Sequence, residues 1–199
     1  MFFYEELEIG QRREVGTYTF TAEAIKTFAA KYDPQRFHLD EEEGRKSLLG
    51  GLAASGWHVG SVCMKMMVAD GQRLIGEAIA RGEKVAVWGP SPGFRDLRWI
   101  RPVLAGDTIT FSTGVESKRL SDSRPGWGIL QSRSIGVNQR GEEVYSFRGT
   151  AFVPLAAGKR HEGCHQRHRV GVLDHVVHRL LREEREDQGA CGKRHQHYA

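Results

Sequence analysis

Cysteine is scarce in this 199-residue sequence, and its three cysteines lack the paired spacing of a metal site. They are Cys63, Cys164 and Cys191, which are spread over most of the chain. An odd and widely spaced set argues against a disulfide framework and fits a reducing compartment. We therefore expect neither structural disulfides nor a bound metal ion.

Long apolar runs are also missing. A helix that crosses a bilayer needs ~20 consecutive apolar residues. The most apolar stretch, residues 52–69, contains four polar side chains, so we expect a buried helix there instead. Glu5 and Glu6 come too early in the chain for a secretory signal. These absences predict a cytoplasmic protein with no membrane partner.

The sequence contains no dinucleotide-binding fingerprint, phosphate-binding loop or zinc signature, so no cofactor is expected. The formal net charge is +4, but the basic excess is concentrated near the C-terminus. Residues 159–199 carry nine Lys/Arg and six Asp/Glu, whereas the rest of the chain carries 20 and 19. Because a nucleic-acid-binding domain presents a clustered basic face, this distribution argues against nucleic acid as a partner.

The chain is predicted to form one compact domain over residues 1–157 and an appendage over residues 158–199. The boundary follows the apolar segment Phe152–Leu155, and seven of the nine histidines lie beyond it. An apolar stripe in the basic, histidine-rich appendage favours a short helix, whereas residues 189–199 have the composition of a disordered segment. Glycines among the histidines argue against a long helix there, and therefore against a zinc site on one helix face.

The spacing of apolar residues predicts an α+β domain. Thr21 is a candidate N-cap for a helix over Ala22–Tyr32. A second, largely apolar helix is predicted from Ser55, its candidate N-cap, to about Val68, and its composition is typical of a helix enclosed by other structure. From Phe94 onward, apolar and polar residues alternate with a period of two, as in antiparallel strands. This order indicates a sheet that curls around one helix.

Shorter elements are predicted before the long helix. The segment Arg13–Phe20 is expected to be a strand, and Asp40 with Glu43 resembles a capping box for a short helix over residues 41–47. Pro34 is expected to end the preceding helix, because the residue before proline avoids the helical region. The residues between these two helices are therefore expected to form a loop.

This loop contains the most informative pair of side chains. Asp33 and His38 are five residues apart, which allows both to address one water molecule. A carboxylate and an imidazole around one water can remove and deliver protons, as the addition of water to an activated double bond requires. Each residue alone also has a simpler explanation, Asp33 as a turn residue before Pro34 and His38 as a surface histidine.

Around this pair the sequence resembles the MaoC-like family of dehydratases and (R)-specific enoyl-CoA hydratases. The family motif is roughly Asp-x-Asn-Pro-x-His with an acidic residue two positions later, and Asp33, His38 and Asp40 match these three residues. Residues 50–58 are similar to the family's glycine-rich entry to its central helix. Residues 97–108 are similar to the following strand and turn. The resemblance covers about residues 5–155.

The resemblance implies a single hot-dog domain, in which an antiparallel sheet wraps around a long central helix. Such domains pair sheets edge to edge, so a homodimer is expected. The implied reaction is reversible hydration of an enoyl thioester to a 3-hydroxyacyl thioester, with Asp33 and His38 as the acid–base pair. An acyl-CoA thioester is the expected partner.

The start of the central helix is expected to complete this site. A helix N-terminus offers free N–H groups and a partial positive charge, so the N–H of Gly56 is the candidate donor to the thioester oxygen. Gln35, Ser55 and Trp57 are expected to contact the substrate. Gln35 stands where the family often has Asn, and Ser55-Gly56 replaces the frequent His-Gly pair.

Two other functions fit the same fold. Many hot-dog thioesterases carry an Asp or Glu on the central helix, but residues 53–69 contain no acid, which counts against that function. A non-catalytic acyl-thioester-binding protein would keep ligand binding after the loss of Asp33 and His38. Arg98 and Arg101 fit a solvated strand face better than a phosphate contact, and His58 fits a packing role.

Overall fold

The computed structural model describes residues 2–156. The appendage predicted for residues 158–199 lies outside the described residues, and the domain boundary stays a prediction. After a 3₁₀ turn at Tyr4–Glu6, the elements in chain order are β1 (Arg12–Thr19), α1 (Ala22–Tyr32), α2 (Arg36–Leu39), α3 (Glu41–Lys46), α4 (Gly56–Ala80), β2 (Gly93–Trp99), β3 (Thr108–Leu120), β4 (Trp127–Asn138) and β5 (Glu143–Pro154).

The five strands form one antiparallel sheet in the order β1–β3–β4–β5–β2. Alternation along β3 places Ile109 and Phe111 on the face that packs against α4, where both are fully buried. Val59 and Cys63 of α4 belong to the same core. The α+β arrangement predicted from the change in periodicity is confirmed.

Local capping explains where the helices begin. Thr21 accepts a hydrogen bond from the Ala24 N–H, and the carboxylate of Asp40 accepts from Glu42 and Glu43, so both predicted N-caps are confirmed. Each such cap contributes about 0.5–2 kcal/mol. The expected loop, however, contains the single-turn helix α2, which the apolar pattern did not indicate because four residues are too few for a helical period.

The predicted end of α4 near Val68 was wrong, since the helix continues to Ala80. Asp70 is buried and accepts hydrogen bonds from Arg13 of β1 and from Arg73, both at 2.8 Å. The pair with Arg13 anchors the second half of the helix to the sheet, and the pair with Arg73 lies within α4. The contact with Arg13 joins residues 57 positions apart, which explains why helical periodicity alone did not reveal it.

Only one face of α4 packs against the sheet. The opposite face exposes apolar side chains, whereas the composition predicted a helix enclosed on nearly every side. The exposed residues are Trp57, Met64, Val68, Ile75 and Ile79. Across residues 2–156, no helix combines the length and hydropathy that a bilayer crossing needs.

Candidate active site

The carboxylate of Asp33 is placed by the end of α1. The Asp33 N–H donates to the Ala29 carbonyl at 2.9 Å and closes the last turn, and Pro34 prevents the helix from continuing. The Asp33 side chain remains 21% exposed and lines a cavity. Because α1 ends before Pro34, the Asp33 carboxylate lies at the edge of this cavity.

The imidazole of His38 is fixed by a backbone acceptor on another segment. Its Nδ1 lies 2.7 Å from the Ala53 carbonyl oxygen, and the residue is buried. Because a carbonyl can only accept, Nδ1 carries a proton in this contact, so Nε2 is the nitrogen that holds the lone pair whenever the ring is neutral. That Nε2 lies 3.5 Å from Asp33 Oδ2. With the ring neutral, the two groups are acceptors close enough to share one water.

The pKa of Asp33 reflects opposing influences. Partial burial raises it, but hydrogen bonds from Ser55 and Gln35 and the nearby His38 ring outweigh burial, so the pKa lies below its ordinary value. The Gln35 amide donates to Asp33 Oδ1 at 2.8 Å. These contacts keep Asp33 ionised at neutral pH.

The first turn of α4 forms the next wall of the site. Ser55 is the N-cap, as predicted, and its Oγ accepts from the Trp57 N–H at 3.2 Å. The indole of Trp99 covers Gly56, and its Nε1 donates to the Gly56 carbonyl at 2.9 Å. A Cβ at position 56 would lie 2.4–2.8 Å from Trp99 ring atoms, so the close approach requires glycine.

One cavity of about 380 Å³ contains all six residues predicted for the site. Asp33, His38 and Gln35 lie on one side, and the first turn of α4 lies on another. Their roles in catalysis and binding stay predictions. The remaining lining is mainly apolar: Phe37, Leu49, Ala53, Ala54, Val59, Trp99, Ile100, Arg101, Pro102, Val103 and Val144.

Sequence reasoning missed Trp99 and its neighbour Ile100 as members of this cavity. Their only signal was two large apolar side chains in sequence before Pro102. Arg101 also lines the cavity, although it is exposed, as expected of a solvated strand end. Trp99 reaches Gly56 across 43 residues of sequence, and no local pattern reports such a contact.

His58 lies in the core and not in the cavity lining, which confirms its packing role. Its ring stacks on Phe28 with centroids 4.5 Å apart and meets Phe20 edge-on at 5.1 Å. Among the described residues, Nδ1 is buried without a hydrogen-bond partner. Burial lowers the pKa of His58 below its ordinary value of 6.5.

We expect this histidine to make stability depend on pH. Because the folded state resists protonation of His58 and the unfolded state does not, the unfolding free energy falls as pH drops below about 6.5. His58→Phe keeps an aromatic ring and removes the titration, so the variant should lose this part of the decline. Urea unfolding between pH 5 and 8 measures both proteins, and identical pH slopes would contradict the prediction.

Comparisons with known proteins agree with this fold. The family model described as MaoC like domain matches residues 6–126. A MaoC-like dehydratase from Rhodospirillum rubrum is 34% identical with a TM-score of 0.64, and the match covers 78% of this chain and 99% of that one. An R-hydratase from Pseudomonas aeruginosa is 21% identical with a TM-score of 0.53, over 85% and 96% of the two chains. The uncharacterized protein YdeM of Bacillus subtilis is 28% identical over 149 residues, 75% of this chain and 95% of its own length.

A five-stranded antiparallel sheet packed against one long helix defines a hot-dog domain. The chain belongs to the MaoC-like dehydratase family, as the sequence predicted.

Proposed function

We propose that the protein is a hydro-lyase that adds water to, or removes it from, the double bond of an enoyl thioester. One observation carries the proposal: Asp33 Oδ2 and His38 Nε2 converge at 3.5 Å in the cavity beside the α4 N-terminus. A water held there donates a hydrogen bond to each acceptor. This is the arrangement that positions and activates a water for addition.

In the hydration direction, the water oxygen bonds to Cβ of the substrate while the Asp33–His38 pair takes one proton. The π electrons of the Cα–Cβ bond move toward the thioester carbonyl and give an enolate. The enolate then collapses as the pair returns a proton to Cα, and the product is the 3-hydroxyacyl thioester. One water is added, and the site ends with its protons restored.

Negative charge on the thioester oxygen needs a donor during this sequence. The N–H of Gly56 occupies the first position of α4, where helical N–H groups have no partner within the helix. The helix dipole adds a partial positive charge at the same place. We assign the Gly56 N–H as the oxyanion donor. Removal of a comparable donor lowers kcat by about 10²–10³-fold.

The apolar side of the cavity suits an acyl chain. Val59, Val103 and Val144 line it, and the rings of Trp57 and Trp99 stand edge to face at 5.4 Å and are both partly exposed. We propose that the acyl group enters past these two rings. A CoA thioester is the proposed substrate, and the cytoplasmic location predicted from sequence remains part of this proposal.

No feature of α4 favours the thioesterase alternative. The helix has acids only in its second half, Asp70 and Glu77, and both are bound to Arg73. Neither acid lines the cavity around Asp33. The half of α4 that does line it contains no carboxylate.

We also propose that the protein is a homodimer joined along β2. This strand forms one edge of the sheet and exposes Phe94 and Trp99, and α4 exposes Met64 and Val68. Pairing two β2 edges would cover unpaired backbone groups and apolar surface together. Light scattering should give twice the 22.4 kDa chain mass, and Phe94→Glu should shift the protein toward monomer. A monomeric wild type would reject this arrangement.

The proposed activity is tested with a panel of trans-2-enoyl-CoA substrates of different chain length. We expect loss of the enoyl-thioester absorbance and a product heavier by one water. Release of a free thiol without water addition would indicate a thioesterase instead. Quenching of tryptophan fluorescence with no turnover of any substrate would indicate a binding protein.

A further inference from the structure

Trp99 contacts the site through a hydrogen bond that the proposed chemistry does not use. Its indole N–H donates to the Gly56 carbonyl at 2.9 Å, and its ring lies directly against the Gly56 Cα. The carbonyl belongs to the peptide that joins Gly56 to Trp57. A donor on the oxygen side of this peptide restricts the peptide's rotation.

The N–H of the same peptide continues the connection. It belongs to Trp57 and donates to the Ser55 Oγ at 3.2 Å, and Ser55 is only 1% exposed. A serine hydroxyl has a single hydrogen. While Oγ accepts from the Trp57 N–H, that hydrogen remains available to the Asp33 carboxylate, which lines the same cavity and whose pKa Ser55 lowers.

We propose that Trp99 is a positioning residue for Asp33, acting through the Gly56–Trp57 peptide and the Ser55 hydroxyl. The inference deepens the proposed function and rests on it for the role of Asp33. Trp99 itself does not exchange a proton with the substrate. Its indole holds the first turn of α4 so that Ser55 faces the carboxylate.

The geometry explains why this chain uses serine at position 55. Ser55 is short and fully buried, so it can cap α4 and reach Asp33 only if the first turn lies close to the carboxylate. Trp99 sets that distance from the outer side, since its ring occupies the space that a side chain at position 56 would need. Loss of the indole N–H should therefore loosen the Ser55–Asp33 contact without removing any atom of the acid–base pair.

Trp99→Phe tests this role, because it keeps an aromatic ring and removes the N–H. Trp88→Phe is the matched control, since the Trp88 Nε1 also donates to a backbone carbonyl, that of Phe2, at 3.0 Å and away from the cavity. We expect Trp99→Phe to lower kcat/KM about three- to tenfold and to move its acidic limb to higher pH. Trp88→Phe should change neither quantity.

Ser55→Ala should raise the pKa of Asp33 in the same direction, and the Ser55→Ala/Trp99→Phe double variant should lose no more than Ser55→Ala alone. Such non-additivity is expected when two residues act through one contact. Losses that add in full would overturn the proposal. So would a Trp99→Phe profile that matches the Trp88→Phe profile.

A measurement independent of turnover separates this inference from the proposed function. The Asp33 carboxyl can be titrated by ¹³C NMR in protein labelled at aspartate, with Asp33→Asn identifying its signal. An upward pKa shift in Trp99→Phe supports the inference even if no enoyl thioester is hydrated, and an unchanged pKa overturns it even in an active hydratase. If Trp99→Phe does not fold, a benzothiophene analogue of tryptophan at position 99 keeps the ring shape, lacks the N–H and gives the same readout.

Discussion

Asp33→Asn and His38→Ala should each lower turnover of an enoyl thioester by ~10²-fold or more and leave the fold intact. The two groups converge at 3.5 Å as acceptors for one water. Asparagine would present a neutral amide in place of the carboxylate, and alanine would remove the ring nitrogen altogether. The alanine variant leaves the water with one acceptor, and the asparagine variant keeps an acceptor oxygen that is too weak a base to take its proton.

Steady-state kinetics and thermal unfolding together test this prediction. Asp122→Asn is the matched control, because it changes a carboxylate that is 96% exposed and pairs only with Arg119 among the described residues. We expect normal turnover from it. Near-normal turnover in both Asp33→Asn and His38→Ala would refute the acid–base assignment.

Gly56→Ala should damage both the stability and the activity of the protein. The new Cβ would lie 2.4–2.8 Å from ring atoms of Trp99, which cannot yield without breaking its 2.9 Å bond to the Gly56 carbonyl. Overpacking of this kind costs about 1–3 kcal/mol. Because the first turn of α4 also carries the proposed oxyanion donor, kcat should fall by at least about tenfold.

Gly76→Ala is the control for this substitution. It lies in the same helix with nothing within 4 Å of the new Cβ, and alanine favours helix over glycine by about 0.8–1 kcal/mol. We expect Gly76→Ala to raise the melting temperature and Gly56→Ala to lower it. Adding Trp99→Ala to Gly56→Ala should recover part of the lost stability, and no recovery would mean that the clash is not the cause.

Features were predictable from sequence when the interacting residues lie close together along the chain. Thr21, Asp40 and Ser55 cap helices through bonds to N–H groups two or three residues away, and all three were recognised from local sequence. The end of α4 was not recognised, because Asp70 is held by an arginine on β1. The second half of α4 contains Gly71 and Gly76, which disfavour a helix locally, and the ion pair with Arg13 that stabilises it is tertiary. The local sequence therefore gives little indication that the helix continues.

The same distinction applies within the cavity. The spacing of Asp33 and His38 predicted a shared water, but the acceptor that orients the His38 ring is the Ala53 carbonyl, on a different segment. Gln35 was predicted from sequence to contact the substrate, and the structure shows a contact with Asp33. Its amide is bonded to Asp33, so it supports the carboxylate before any substrate arrives.

By itself, the sequence determined the class of fold, the family and the helix caps, and it indicated six residues that line one cavity. These follow from periodicity, capping chemistry and motif spacing, which act over a few residues. Only the tertiary structure decided the proton position on His38, the contact of Trp99 with Gly56 and the extension of α4 to Ala80. Each of these depends on groups from distant parts of the chain. Such tertiary contacts stabilise the fold, but no local sequence pattern encodes them.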